Sequence, residues 1–218
     1  MSGRFVRDPY VTHVALWLQE QGGRLIPDRT EAERFLQALD PDDDRFSFRT
    51  FSDSGYTRSG SQDPLEKALH GTLAECWDDL VWLNQAGAVI TVTINQTNGT
   101  GREIRDITRV RAVFVDDDRG MERQVLKWPP HLVVNTSPGH FHYYWRVAAM
   151  PLKRFSEVQQ RLAECYRGDR RVQALNQSMQ VPGFWRRKRV CEPRLPRLIE
   201  IREVPPLGAA AVKQLLGD

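Results

Sequence analysis

Residues Val113-Phe114-Val115-Asp116-Asp117-Asp118 form a β-branched and aromatic run that ends in acid. A strand has this pattern when it delivers carboxylates to the rim of a sheet. Side chains alternate along a strand, so Asp116 and Asp118 share one face and Asp117 takes the other. Two carboxylates on one face repel each other unless a cation lies between them. Hard oxygen ligands of this kind suit Mg²⁺ or Mn²⁺. Further on, Ser137-Pro138-Gly139 leads into His140-Phe141-His142-Tyr143-Tyr144-Trp145, where His140, His142 and Ser137 are candidates to offset charge on phosphate oxygens. Together the two stretches predict a metal-dependent site that handles phosphate.

A third cluster, Arg186-Arg187-Lys188-Arg189, follows Pro182-Gly183. Its place after that turn favours phosphate contact, with Arg186 and Lys188 as the residues to watch. Each candidate has a plainer alternative. The acids can end a polar strand, His142 can be a half-buried histidine beside Tyr144, and Ser137 can cap its turn. The basic run can be a solvated loop. Arg102, Arg105, Arg109 and Arg111 flank a predicted hairpin and none stands out. Trp82, Trp128 and Trp145 are assigned to the core.

Positioning these groups requires a scaffold, and the chain supplies one. Residues 30–39 read as a helix with Thr30 as its cap and Glu33 completing a capping box. A short strand is expected over 46–51. A second helix is expected over roughly 64–86, where Leu65, Leu69, Leu73, Cys76, Leu80 and Leu83 recur at helical spacing. Residues 88–95 alternate as a strand, Asn98-Gly99 and Gly101 mark a turn, and 110–116 is expected to return beside it. A second hairpin joins 132–135 to 141–147, and a helix follows over about 153–167. This order predicts an α+β fold with helices packed on one side of an antiparallel sheet. The tail 205–218 reads as a short packing helix or the start of a linker.

The 218 residues are enough for one sizeable core, and a hydrophobic content of 40% with six tryptophans excludes a disordered chain. No apolar run reaches the ~20 residues that span a bilayer, so no membrane partner is expected. The start of the chain lacks the apolar core of a signal peptide. Three scattered cysteines without a CxxC pair favour a reducing cytoplasm and argue against structural zinc. The net charge of +3 conceals an asymmetry. Residues 1–60 hold eight Lys/Arg against ten Asp/Glu, whereas 146–202 hold fourteen against five. That basic segment, punctuated by Tyr166, Phe184 and Trp185, reads as a nucleic-acid surface with stacking groups.

Three of these stretches resemble a known family. Phe114-Val115-Asp116-Asp117-Asp118 is similar to the hydrophobic-Asp-x-Asp first motif of archaeo-eukaryotic-type primases. Residues 137–145 resemble their second motif, and Gln180-Val181-Pro182-Gly183-Phe184-Trp185-Arg186-Arg187-Lys188 resembles the R-h-P-G-x-x-N-x-K signature of RepB-type plasmid and phage primases. The resemblance covers about residues 68–190. It implies an RRM-like antiparallel sheet as the primase palm (67–202), an N-terminal α/β extension (1–66) and a tail (203–218) within one catalytic domain. It further implies two-metal nucleotidyl transfer on single-stranded DNA from NTP or dNTP, with Asp116, Asp118 and Asp169 holding Mg²⁺ or Mn²⁺. His142, His140, Ser137, Arg186 and Lys188 would bind the nucleotide, and a replicative helicase or a C-terminal helical domain is the expected partner. The chain departs from the pattern at Gln180, where relatives often have Arg, at Arg187 before Lys188, and at His140, where many relatives have Ser.

Two rivals remain open at this point. His140-Phe141-His142 is also a His-hydrophobic-His triplet of rolling-circle nucleases and relaxases, for which Tyr166 would be the nucleophile. A non-catalytic single-strand binding module would use the basic segment alone.

Overall fold

The computed structural model describes residues 25–53, 63–120, 123–124, 126–187 and 192–217. Its elements run α1 (Arg29–Leu39), β1 (Arg45–Ser52), β2 (Lys67–Thr72), α2 (Leu73–Gln85), β3 (Ala88–Thr93), β4 (Gln96–Thr97), β5 (Ile107–Arg109), β6 (Ala112–Asp117), β7 (Leu132–Ser137), β8 (His140–Arg146), α3 (Phe155–Cys165), β9 (Ser178–Gln180), β10 (Arg197–Ile201) and α4 (Ala209–Leu215). The α+β class holds. The strands divide, however, into two four-stranded antiparallel sheets, β2-β1-β3-β9 and β10-β7-β8-β6, with β4-β5 as a small ribbon.

Several expectations change at the level of elements. The first helix is capped by Asp28, whose carboxylate accepts from Glu31 N–H at 3.1 Å, and not by Thr30. The expected helix over 64–86 begins only at Leu73, because Lys67–Thr72 forms an edge strand paired with β1. Thr72 then caps α2 through a reciprocal box with Glu75. The expected hairpin between 88–95 and 110–116 does not form: β3 pairs with β1 and β9, while β6 pairs with β8 in the other sheet. The 132–147 hairpin forms as β7-β8, and the tail adds the short helix α4.

Alternation along β6 and β8 builds the core on both faces of their sheet. Phe114 and Tyr144 are cross-strand partners. They meet Phe155 of α3 and Phe35 of α1 at ring distances of 6.1 and 5.5 Å. On the other face Trp145 packs on Tyr166 at 5.5 Å. The free edge of β6 is closed by Gln159 of α3, whose side-chain amide accepts from Phe114 N–H at 3.2 Å and donates to Phe114 O. That pairing satisfies backbone groups an edge strand otherwise leaves bare. Buried Arg111 ties the sheets to the N-terminal part, donating to Asp40 and, at 3.0 Å, to Asp43, with Phe46 under its guanidinium at 4.4 Å.

Three aromatic residues lie elsewhere than expected. Phe184 and Trp185 are fully buried, so the basic segment does not present them as stacking platforms. Trp185 donates to Ile26 O at 2.9 Å, and Phe184 packs on Trp77. Trp82, assigned to the core, is 64% exposed on α2.

Candidate active site

A cavity of about 480 Å³ opens between the two sheets. One wall, from the ends of β6, β7 and β8, carries Asp116, Asp118, Ser137, His140 and His142. The opposite wall, from β1, β3, β9 and the segment beyond, carries Thr91, Ser178, Gln180, Arg186 and Arg194. The volume lies in the range typical of small-molecule sites.

The acidic wall follows from the strand register. Asp116 stands opposite His142 on β8, with His142 Nε2 3.4 Å from Asp116 Oδ1. His142 Nδ1 lies 3.1 Å from the Tyr144 hydroxyl. Full burial raises the Tyr144 phenol well above its usual pKa, with the Asp116 charge adding to the effect, so it stays a donor. In the neutral imidazole this places the ring proton on Nε2, toward Asp116. Asp116 Oδ1 is buried and makes no well-formed hydrogen bond, with His142 Nε2 at 3.4 Å a long and weak donor.

Burial pushes the Asp116 carboxyl upward, but the charge and hydrogen bonding of His142 outweigh it and the net shift is downward. Asp118 moves the other way, raised first by burial and then by the Asp116 charge. The Asp116 charge thus disfavours ionisation of its neighbour, the behaviour of paired carboxylates that lack a counter-ion. Asp117, on the opposite face, is paired with Arg119 at 2.7 Å and accepts from Gln124 Nε2 at 2.7 Å.

Asp169 reaches the same rim by backbone docking. Gly168 follows α3, and a Cβ there would come within 2.7 Å of Val115. This close approach lets Asp169 N–H donate to Asp116 O at 2.9 Å. The Asp169 charge is felt at Asp116. Its carboxylate, however, is held by Arg171, which lowers its pKa chiefly through that hydrogen bonding. Among the described residues no group of three or more His, Cys, Asp or Glu side chains converges as a metal centre. The donor chemistry at Asp116 and Asp118 nevertheless fits a hard divalent cation: two neighbouring carboxylates, one with a buried oxygen that no donor satisfies.

Ser137 Oγ and His140 Nδ1 lie 3.0 Å apart beside this pair. Across the cavity, Arg186 is fixed by two contacts: Nε donates to Asp53 Oδ1 at 3.0 Å and Nη1 to Gln180 Oε1 at 3.0 Å. The Asp53 side chain is 2% exposed and also accepts from Arg187 N–H. The Pro182-Gly183 turn that presents Arg186 packs on the start of α1. Gly183 has φ +85°, and a Cβ there would meet Asp28 O at 2.3 Å. Lys188 lies outside the described residues. Asp53 and Arg194 are additions that no local sequence pattern announces; Arg194 reaches the site through a two-way backbone pairing with Arg186.

The rival nucleophile is on the wrong side. Tyr166 packs on Trp145, which by alternation faces away from His142, and its hydroxyl donates to Leu215 O at 3.1 Å.

Comparison with known proteins agrees with this architecture. The family model of the RepB DNA-primase N-terminal domain matches residues 95–200. The fold is similar to the primase-polymerase AEP domain of cyanophage S-2L, with a TM-score of 0.64 and 18% identity, covering 88% of this chain and 99% of that one. It is also similar to the primase RepB′, with a TM-score of 0.57, 20% identity and coverage of 85% and 61%. The catalytic domain of RepB′ in complex with initiator DNA gives 0.56, 21% identity and coverage of 86% and 94%. No curated protein matches the sequence significantly. The residues matched by the RepB DNA-primase model include the strands that carry the acidic pair, and the likeness of fold to the primase-polymerase domain spans 88% of the chain.

Proposed function

We propose that this protein, acting as one catalytic domain, synthesises short primers on single-stranded DNA by template-directed transfer from NTP or dNTP. The observation that carries the reading is the buried Oδ1 of Asp116, which makes no well-formed hydrogen bond, beside Asp118 at the rim of an open cavity. In the transfer, a 3′-hydroxyl oxygen bonds to the α-phosphorus of the incoming nucleotide, the α–β bridging bond breaks, pyrophosphate leaves, and the hydroxyl proton passes to water. Asp116 and Asp118, with Asp169 as the third ligand, would hold Mg²⁺ or Mn²⁺. Held there, such a cation would supply Lewis acidity toward the hydroxyl and positive charge against that developing on the triphosphate. Ser137 and His140 donate to phosphate oxygens from one wall and Arg186 from the other, and His142 joins them once its Nε2–H turns from Asp116 to the phosphate. Lys188, outside the described residues, is the further phosphate contact in this reading. The Tyr166 geometry disfavours a nuclease, and carboxylates facing the cavity disfavour simple strand binding, because uncovered acids repel DNA. A setting in plasmid, phage or other mobile-element replication, with a helicase or helical domain as partner, accords with this activity.

The test mixes the protein with unprimed single-stranded DNA, Mg²⁺ or Mn²⁺ and labelled nucleotides, beside an Asp116→Ala/Asp118→Ala double variant. Short labelled products are expected from the wild type alone. Incorporation by the double variant at the wild-type rate would overturn the assignment.

A further inference from the structure

We infer that Arg171 is a built-in counter-ion of the acidic rim. It holds Asp169 while no divalent cation is bound, and is released toward phosphate when one binds. The inference rests on the metal-dependent reading of Asp116 and Asp118.

Three observations carry it. First, the position of Asp169 does not depend on Arg171. The Asp169 backbone is anchored on Asp116 O at 2.9 Å, through the close approach that Gly168 permits. The carboxylate therefore stays at the rim whether or not the arginine is present.

Second, Arg171 occupies both carboxylate oxygens. Its backbone N–H donates to Oδ1 at 2.9 Å, Nε lies 3.1 Å from each oxygen, and Nη2 donates to Oδ2 at 2.9 Å. A carboxylate engaged on both oxygens by a fork of donors is turned toward that fork and has fewer lone pairs to offer a cation, so Arg171 competes with a metal for it. This accounts for the absence of a three-carboxylate centre among the described residues, although three aspartates reach one rim.

Third, the Arg171 side chain is 88% exposed, so little besides Asp169 holds it. Solvent-exposed ion pairs are weak, and a doubly charged ion competes well against one guanidinium for the same oxygens. The charges of Asp116 and Asp118 also reach Arg171, so it stands within the field of the whole trio. Once displaced, its guanidinium remains tethered two residues from Asp169 at the rim, free to pair with phosphate oxygens in the bidentate geometry that arginine favours.

Two opposite effects of one substitution follow. Arg171→Ala removes the competitor for Asp169 and should tighten Mn²⁺ binding by roughly 3- to 10-fold. The same change removes a phosphate contact and should weaken binding of a Mn²⁺-saturated nucleotide by a similar factor. A residue that merely braced the loop would weaken both. The Mn²⁺ gain must also vanish when Asp169 is neutral, so Asp169→Asn and Asp169→Asn/Arg171→Ala should bind Mn²⁺ equally.

The experiment titrates Mn²⁺ into the full chain, without DNA or nucleotide, and reads free ion by electron paramagnetic resonance. Thermal melts confirm that each variant is folded, and Asp116→Ala serves as the control. Tighter Mn²⁺ binding by Arg171→Ala, lost in the double variant, supports the counter-ion role. Unchanged or weaker binding by Arg171→Ala, with Asp116→Ala having lost its affinity, overturns that role and leaves the metal site standing. If Asp116→Ala binds Mn²⁺ as the wild type does, the metal-dependent reading itself fails.

Discussion

Asp116 and Asp117 are adjacent in the chain, yet their surroundings are opposite in kind. Asp117 is 2% exposed at its side chain, gripped by Arg119 and hydrogen-bonded by Gln124. Every partner a buried carboxylate needs is present on that face of the sheet. On the other face, Asp116 has a buried oxygen that makes no well-formed hydrogen bond, a histidine at 3.4 Å and a second carboxylate whose ionisation its charge opposes. Strand alternation separates the two residues, and the fold satisfies one while leaving the other in want of positive charge. An unsatisfied buried charge is costly, and such a cost persists at sites where a ligand later removes it.

The largest expected effects test this contrast directly. Asp116→Ala should abolish nucleotide addition, by about 10³-fold or more. It should leave thermal stability equal to or above that of the wild type, because it relieves repulsion with Asp118. Asp117→Ala should do the reverse. Breaking a buried pair whose arginine is partly exposed costs about 2 kcal/mol, a fall in melting temperature of roughly 6 °C. Activity per folded molecule should change little. Equal loss of stability in both variants would remove the distinction between the faces.

A medium effect is expected at the opposite wall. Asp53 holds Arg186 from behind and itself touches no open part of the cavity wall. Asp53→Asn keeps the volume and one acceptor but loses the charge, so it should loosen Arg186. The KM for nucleotide should rise roughly 10-fold with a smaller change in kcat. Gln180→Leu removes only the second anchor of Arg186 and should have a weaker effect of the same kind. If Asp53→Asn lowered kcat and left KM unchanged, Arg186 would not be a ground-state phosphate contact.

How these elements were encoded differs with their range. The β7-β8 hairpin was legible because Ser137-Pro138-Gly139 marks a turn between two runs of β-formers. The sharing of one face by Asp116 and Asp118 was legible because alternation is a local rule. The partner of β6 was not, since it pairs with β8 across an intervening strand, and no local pattern specifies that choice. Leu65, Leu69 and Leu73 mimic a helical stripe, but the first two belong to the edge-strand region, and Thr72 with Glu75 was the readable start signal. Charge misled at Phe184 and Trp185: both rings fill the core although basic residues follow them in the chain. Asp53 acts on Arg186 from 133 residues away, a distance at which only the folded chain reveals the pair.

The smallest expected effect lies away from the cavity and sharpens the same theme of satisfied against unsatisfied groups. His131 is buried, accepts from Arg146 N–H at Nδ1 (3.2 Å) and meets Pro205 O at Nε2 (3.0 Å). Burial lowers its pKa below the ordinary histidine value, and the charges of Arg146 and Arg202 act in the same direction, against the Pro205 carbonyl. A folded pKa below the unfolded one means that the unfolded chain binds the proton more readily. The stability contributed by neutral His131 is therefore complete above about pH 6.5 and is lost as pH falls through the folded value. Protonation at Nδ1 also turns the acceptor for Arg146 N–H into a second donor. Between pH 7.5 and 5.5 the wild type should lose about 1 kcal/mol more unfolding free energy than His131→Gln, which cannot titrate in that range. Urea melts of the two proteins at both pH values measure the difference, and parallel pH profiles would show that His131 is not held neutral by its surroundings.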